Sequence, residues 1–220
     1  MEVVESFFKM DGKISNSTIS FKIGLPASKS KIPLKSLSEK ITAFTYKPSS
    51  RFLRGIYKMI QPFKATFLLY ENGKAVIIGF NSFAQLSELI EEFIKIIGEN
   101  LIKIYDEETL ELTVENVSIK NIVYSGNIVY SGNISKEKTG AIDLGLFGKF
   151  SNVKHIYEPV NYPALYLFPR KENRKAFIAL FRSGKFFISG EKSQKKVKKM
   201  LKILEKEYRR YLWNNHSSYV

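Results

Sequence analysis

Tyr70-Glu71-Asn72-Gly73-Lys74-Ala75-Val76-Ile77-Ile78-Gly79 and Phe181-Arg182-Ser183-Gly184-Lys185-Phe186-Phe187-Ile188-Ser189-Gly190 read as one pattern written twice. Each begins on an aromatic residue, passes through x-x-Gly-Lys and enters an apolar run that ends in glycine. The offset that carries Tyr70 onto Phe181 also carries Tyr46 and Pro48 onto Tyr157 and Pro159, and Ser82 onto Ser193. Chance matches scatter over many offsets, so one recurring offset marks an internal duplication.

Working outward, alternating strands are expected at Lys64–Tyr70 and Ala75–Ile78, with Asn72-Gly73 marking a tight hairpin between them. The second copy offers Ala176–Phe181 and Phe186–Ser189 around Arg182–Lys185. Each hairpin runs into a helix. Ser82 is placed to cap one with Leu86, Leu89, Ile90, Phe93 and Ile97 on a single face; Ser193 is placed to cap another with Val197, Leu201, Leu204, Tyr208 and Leu212. A shorter helix near Pro33 carries Leu34, Leu37 and Ile41. The expected boundaries are an N-terminal extension (1–13), a first repeat (14–106), a connector (107–119), a second repeat (120–214) and a C-terminal tail (215–220). The fold class is α+β: two pseudo-symmetric repeats build one curved antiparallel sheet, with helices on the convex face and the other face open. Residues of one parity share a strand face, so Thr66, Leu68 and Tyr70 form one open row, and Phe177, Ala179 and Phe181 another. Such apolar rows mark a binding surface unless another element or a second copy covers them.

Composition narrows the ligand. The chain has 220 residues and a formal net charge of +14. Residues 1–110 hold 15 Lys/Arg against 12 Asp/Glu, and residues 111–220 hold 20 against 9. An excess of this size suits a polyanion such as nucleic acid. No apolar run approaches the ~20 residues of a membrane helix, and the first residues lack the pattern of a secretory leader. With no cysteine, disulfides and thiolate chemistry are excluded. The two histidines, His155 and His216, stand far apart in the chain with no carboxylate cluster beside either, and Gly145-x-x-Gly148 lacks the lysine of a phosphate loop. No enzymatic activity, metal or cofactor is expected.

Tyr157-Glu158-Pro159, Tyr162-Pro163, Leu180 to Lys185, Asn127-Ile128-Val129, Lys64-Ala65-Thr66 and Tyr70 to Lys74, taken in order and in duplicate, resemble the TATA-binding protein core, and the resemblance runs through both repeats. It implies that family's saddle and a transcription initiation factor that binds and bends A/T-rich promoter DNA through the minor groove, nucleating preinitiation complex assembly in the nucleus, or in the cytoplasm of an archaeal source. The alternative within the family is a paralogue with weakened TATA selectivity that acts mainly by recruiting initiation factors. An RNA-binding sheet is the reading outside it; there the aromatics would stack single-stranded bases on central strands rather than stand beside hairpins.

By resemblance the intercalating residues are Phe52 and Tyr70 in the first repeat and Tyr162 and Phe181 in the second. Apolar wedges of this kind unstack base steps; the kink of about 80° is the family's own and comes to this chain with the resemblance. Minor-groove contacts fall to Thr66, Leu68, Val76, Ile78, Asn127, Val129, Phe177, Ala179, Phe187 and Ser189. The family's central asparagine corresponds to Asn127, or to Asn121 because NIVYSG occurs twice, at Asn121 to Gly126 and at Asn127 to Gly132; in the first repeat Ser17 or Asn16 lies nearest. Phosphate contacts fall to Arg51, Lys58, Lys64, Lys74, Arg174, Lys175, Arg182 and Lys185. Glu158 is the contact for a B-type initiation factor. The first long helix, the family's surface for an A-type factor or repressors, is acidic here through Glu88, Glu91 and Glu92, and the C-terminal helix is strongly basic.

Overall fold

The structure, a computed structural model, describes residues 8–49, 53–130, 141–169 and 175–217. The chain divides into two compact units, one formed by Ser15–Lys120 and the other by Met1–Ile14 with Asn121–Val220. Two long strands, β1 (Phe8–Gly24) and β6 (Thr113–Tyr130), contribute a stretch to each unit. They begin inside the stretches expected as N-terminal extension and connector.

In the unit Ser15–Lys120 the strands are ordered β2 (Phe44–Pro48), β3 (Leu53–Met59), β4 (Ala65–Tyr70), β5 (Lys74–Ile78), β1 and β6. From β2 to β1 each neighbour pairs antiparallel with the next. Helices α1 (Leu34–Lys40) and α2 (Leu86–Tyr105) complete the unit. Alternation decides what is buried: Ala65, Phe67 and Leu69 of β4, and Ala75 and Ile77 of β5, are buried, while the residues between them are half-buried or exposed. The buried set meets Leu89, Ile90, Phe93 and Ile97 of α2, as the helical spacing predicts. Phe93 is the hub, stacked on Phe67 with ring centroids 3.9 Å apart and 6.2 Å from Phe21.

The other unit orders β6, β10 (Lys185–Glu191), β9 (Phe177–Phe181), β8 (Ala164–Phe168) and β7 (Lys154–Tyr157). Helix α3 (Leu144–Phe150) is capped by Asp143, whose Oδ1 accepts the Leu146 N–H at 3.0 Å. Helix α4 (Gln194–Ser217) buries Val197, Met200, Leu204, Tyr208 and Tyr211. The Phe147 ring of α3 meets those of Tyr211 at 5.4 Å and Tyr208 at 6.4 Å between centroids. Glu207, 4% exposed, ties the helices together. Its carboxylate accepts from Ser151 Oγ (3.0 Å), Asn152 N–H (2.8 Å) and Arg210 (2.7 Å). Among the described residues no helix is long and apolar enough to cross a membrane.

One local expectation is corrected. Ser82 makes no side-chain cap; a single 3-10 turn (Phe83–Gln85) intervenes and α2 starts at Leu86. The hairpins fall where expected and close on three-residue loops. Gly73 N–H donates to Tyr70 C=O at 3.0 Å and Gly184 N–H to Phe181 C=O at 2.9 Å, so three residues link the strands. The third is in the left-handed region, with φ of 80° at Gly73 and 82° at Gly184. In such loops only that position needs glycine, which is why Ser183 can stand where Asn72 does.

The glycines closing β5 and interrupting β10 repeat the correspondence, with φ of 86° at Gly79 and 88° at Gly190. Their surroundings differ: a Cβ at Gly79 meets nothing, whereas one at Gly190 collides with the Lys175 carbonyl. Gly79→Ala is therefore expected to lose about 1 kcal/mol from backbone strain alone. Gly190→Ala should lose clearly more, and urea unfolding of the two variants measures the difference.

Candidate nucleic-acid interface

Strand parity delivers a second set of side chains to the sheet face away from the helices. In the unit Ser15–Lys120 the registers assemble them into cross-strand rows. The middle row is Thr45, Ile56, Leu68, Val76 and Ser20. Beside it runs Lys58, Thr66, Ile78 and Thr18, and on the hairpin side Lys47, Arg54 and Tyr70. The face is thus aliphatic across its middle and cationic at its outer strands. Thr66, Leu68, Tyr70, Val76 and Ile78, all expected here, lie on it half-buried.

In the other unit the corresponding row is Ile156, Tyr166, Ala179, Phe187 and Ser125. Here aromatic rings close a circuit. Tyr162 meets Tyr166 (5.4 Å), Tyr166 meets Phe177 (5.5 Å), Phe177 meets Phe187 (5.7 Å), Phe187 meets Phe181 (6.2 Å), and Phe181 returns to Tyr162 (6.2 Å). Ala179 sits opposite both Tyr166 and Phe187 and is 0% exposed. Its parity is that of the open face, as expected, and ring-bearing residues on both neighbouring strands flank it. Its counterpart Leu68 stays half-exposed because Ile56 and Val76, its neighbours, are too short to meet above it.

Tyr166 is missed by the sequence pattern, although it follows Tyr162 by an even step, the spacing of one strand face. Burial raises its hydroxyl pKa above the ordinary tyrosine value, and so does its hydrogen bond to Tyr162. Donation by the Tyr166 O–H fits that direction, since a proton held in a hydrogen bond leaves less readily. The Tyr162 ring stacks on that of Tyr166 while 40% exposed. The turn before it is closed by Asn161 N–H and Tyr162 N–H, both donating to Glu158 C=O at 3.0 Å.

The asparagines sort themselves by geometry. Asn16 Oδ1 accepts the Gly79 N–H at 2.9 Å, and Asn121 Oδ1 accepts the Gly190 N–H at 2.8 Å. Each is thus clamped through its oxygen to a left-handed glycine, which leaves the amide NH2 as its donor group; Asn121 Nδ2 donates one hydrogen to Ser189 Oγ at 3.2 Å and retains a second. Ser17 is 1% exposed with Oγ donating to Phe80 C=O, so Asn16 is the first-repeat counterpart. Asn127 shares the parity of Asn121 but pairs with Lys185 beside the hairpin, where the first repeat has Lys22 opposite Lys74. Of the two asparagines offered by the sequence, Asn121 is the one whose side-chain oxygen meets a left-handed glycine. The step from Asn16 to Asn121 falls short of the hairpin offset by the length of one NIVYSG copy.

Lys58, Lys64, Lys74, Lys175, Arg182 and Lys185 are all exposed. Arg51, Phe52 and Arg174 lie outside the described residues. Val129, 45% exposed, has the open-face parity, as do Phe177, Phe187 and Ser189.

A family model described as transcription factor TFIID (or TATA-binding protein, TBP) matches residues 11–100 and 116–209. The chain belongs to the TATA-binding protein family. The TATA-box-binding protein of Archaeoglobus fulgidus is 28% identical over 197 residues, covering 90% of this chain and 94% of that one. That of Thermococcus kodakarensis is 33% identical over 172 residues, covering 72% and 77%. The solved structure of Methanococcus jannaschii TBP shares the fold, with a TM-score of 0.64 at 23% identity over 90% of this chain and 98% of that one. The expected α+β fold of the TATA-binding protein family is thereby established, and with it the class of a DNA-binding, TBP-type transcription factor rather than an enzyme.

Within this member of the TATA-binding protein family the five-ring circuit is the feature that depends on one small residue. Ala179→Leu, which installs the residue found at Leu68, is expected to overpack the circuit and destabilise the protein by about 1–3 kcal/mol. Urea unfolding with near-UV circular dichroism, which reports the tyrosine packing, checks this.

Proposed function

We propose that the open faces hold the minor groove of A/T-rich promoter duplex and bend it, nucleating assembly of the initiation complex. The observation that carries the reading is the pair of clamped asparagines, each set on an apolar face and bonded in the same way to a left-handed glycine. In the minor groove A·T and T·A pairs offer only acceptors, and the guanine amino group is the sole obstruction. An apolar face with one amide donor per repeat therefore accepts A·T and rejects G·C. Phe52 with Tyr70, and Tyr162 with Phe181, are the proposed wedges, and the Tyr166 bond supplies the Tyr162 hydroxyl with a partner as its ring leaves water. Thr66, Leu68, Val76, Ile78, Val129, Phe177, Phe187 and Ser189 would line the groove. Lys58, Lys64, Lys74, Lys175, Arg182 and Lys185, with Arg51 and Arg174, would hold phosphates, which position the duplex without reading it.

Glu158 is exposed, with Oε2 accepting from Asn161 Nδ2 at 3.1 Å, and is the proposed contact for a B-type initiation factor. An A-type factor or a repressor would meet α2. The relatives named above are archaeal, which supports an archaeal cytoplasm over a nucleus.

Asn121→Asp and Asn16→Asp test the reading, because aspartate keeps the oxygen that binds glycine and replaces the donor with a carboxylate. Each is expected to weaken binding to a TATA duplex tenfold or more, about 1.4 kcal/mol, with unchanged thermal stability. End-to-end fluorescence transfer on the same duplex should report a large bend, reduced by Tyr162→Ala. Equal affinity for TATA and G·C-substituted duplexes at fixed salt would replace this reading with the weakly selective paralogue.

A further inference from the structure

Helix α4 carries a straight solvent stripe opposite its buried one. Lys195, Lys199, Lys202 and Lys206 are spaced four, three and four residues apart, and the line continues through Arg209 to Trp213. At 1.5 Å per residue it is about 27 Å long. Lys196 and Lys198 flank its start, and all six lysines are exposed. Among the described residues none of the six is within ion-pair distance of a carboxylate, whereas Arg209 is held by Glu205 at 3.0 Å and lies 4.9 Å from the Phe8 ring centroid. Trp213 ends the stripe 77% exposed.

The fold does not require this stripe. Packing is done by Val197, Met200, Leu204, Tyr208 and Tyr211, and the corresponding helix α2 exposes a mixed set, Glu88, Glu91, Lys95, Glu99 and Lys103. The stripe also works against the helix. Lysines three and four apart repel one another, and the first turn of α4 holds no acidic residue to offset cations at the positive end of the helix dipole. A largely exposed tryptophan at the end of a cationic line adds an apolar anchor, the residue type most often dominant in protein contacts.

We propose that this stripe is a docking face for an acidic segment of a partner protein that carries an apolar residue at one end. A protein fits better than a second stretch of nucleic acid. Helix α4 packs against the β10 side of its sheet, so a duplex on the open face of those strands is separated from the stripe by the sheet and the helix, on the order of 15 Å. Tryptophan also matches an apolar side chain rather than a phosphate. The inference rests on the groove reading only in assigning the duplex to the other face.

Fluorescence anisotropy of the full chain with a labelled peptide of about 18 residues, Glu and Asp ending in Leu-Phe, tests it beside an all-Glu peptide and a TATA duplex. The double change K199E/K202E should weaken the Leu-Phe peptide about tenfold or more and leave duplex affinity unchanged. The control K58E/K64E should leave the peptide unaffected. Trp213→Ala should weaken the Leu-Phe peptide and not the all-Glu one. Three results overturn the proposal: no peptide binding at low salt; equal loss from both lysine pairs, meaning diffuse attraction to a basic chain; or loss of duplex binding in K199E/K202E matching the peptide loss. If the wild-type chain binds no duplex, the groove reading fails while the peptide comparison still decides this one.

Discussion

Burial of one strand parity beneath the helices is the constraint from which the rest of each unit follows. In the first repeat it is anchored by Phe93 stacked on Phe67, and in the second Ile178, Leu180, Phe186 and Ile188 of the strands and Val197, Met200 and Leu204 of α4 are buried. Because side chains alternate with a period of two, committing Phe67, Leu69 and Ile77 to the core commits Leu68, Tyr70 and Val76 to the opposite face. A one-residue slip would exchange the two sets, so the open face is as strongly specified as the core that creates it.

Backbone and side chains follow different rules across the duplication. The left-handed glycines agree closely, with φ of 80° and 82° in the two hairpins and 86° and 88° at Gly79 and Gly190. The two asparagine clamps measure 2.9 Å and 2.8 Å. The side chains on the open faces do not repeat. Ile56, Leu68 and Val76 give one repeat an aliphatic surface, while Tyr166, Ala179 and Phe187 give the other a floor of linked rings around a hidden alanine. A left-handed backbone of this kind tolerates little besides glycine, so it persists; an open-face side chain is limited mainly by its neighbours and can change with them.

Much of this was legible in the residues. The hairpins, the apolar stripes of α2 and α4 and the parity of the open rows all follow from local periodicity, and they appear where expected. Misses came where periodicity alone does not decide. The cap expected at Ser82 gave way to a 3-10 turn. Ala179 had the right parity but lay between two aromatic neighbours from strands on either side. The common offset carries Asn16 onto Asn127, whereas its structural counterpart is Asn121, one NIVYSG copy earlier.

Sequence alone determined the duplication, the strand and helix periodicities, the charge imbalance and the family resemblance, since each is carried by residue spacing or composition along the chain. Only the tertiary structure decided which asparagine meets the glycine clamp, that the Tyr162 and Tyr166 rings stack, and that Ala179 is fully buried. The physical reason is that exposure and hydrogen bonding depend on cross-strand neighbours. Residues such as Asn121 and Gly190, 69 apart in the chain, become partners only once the register is set.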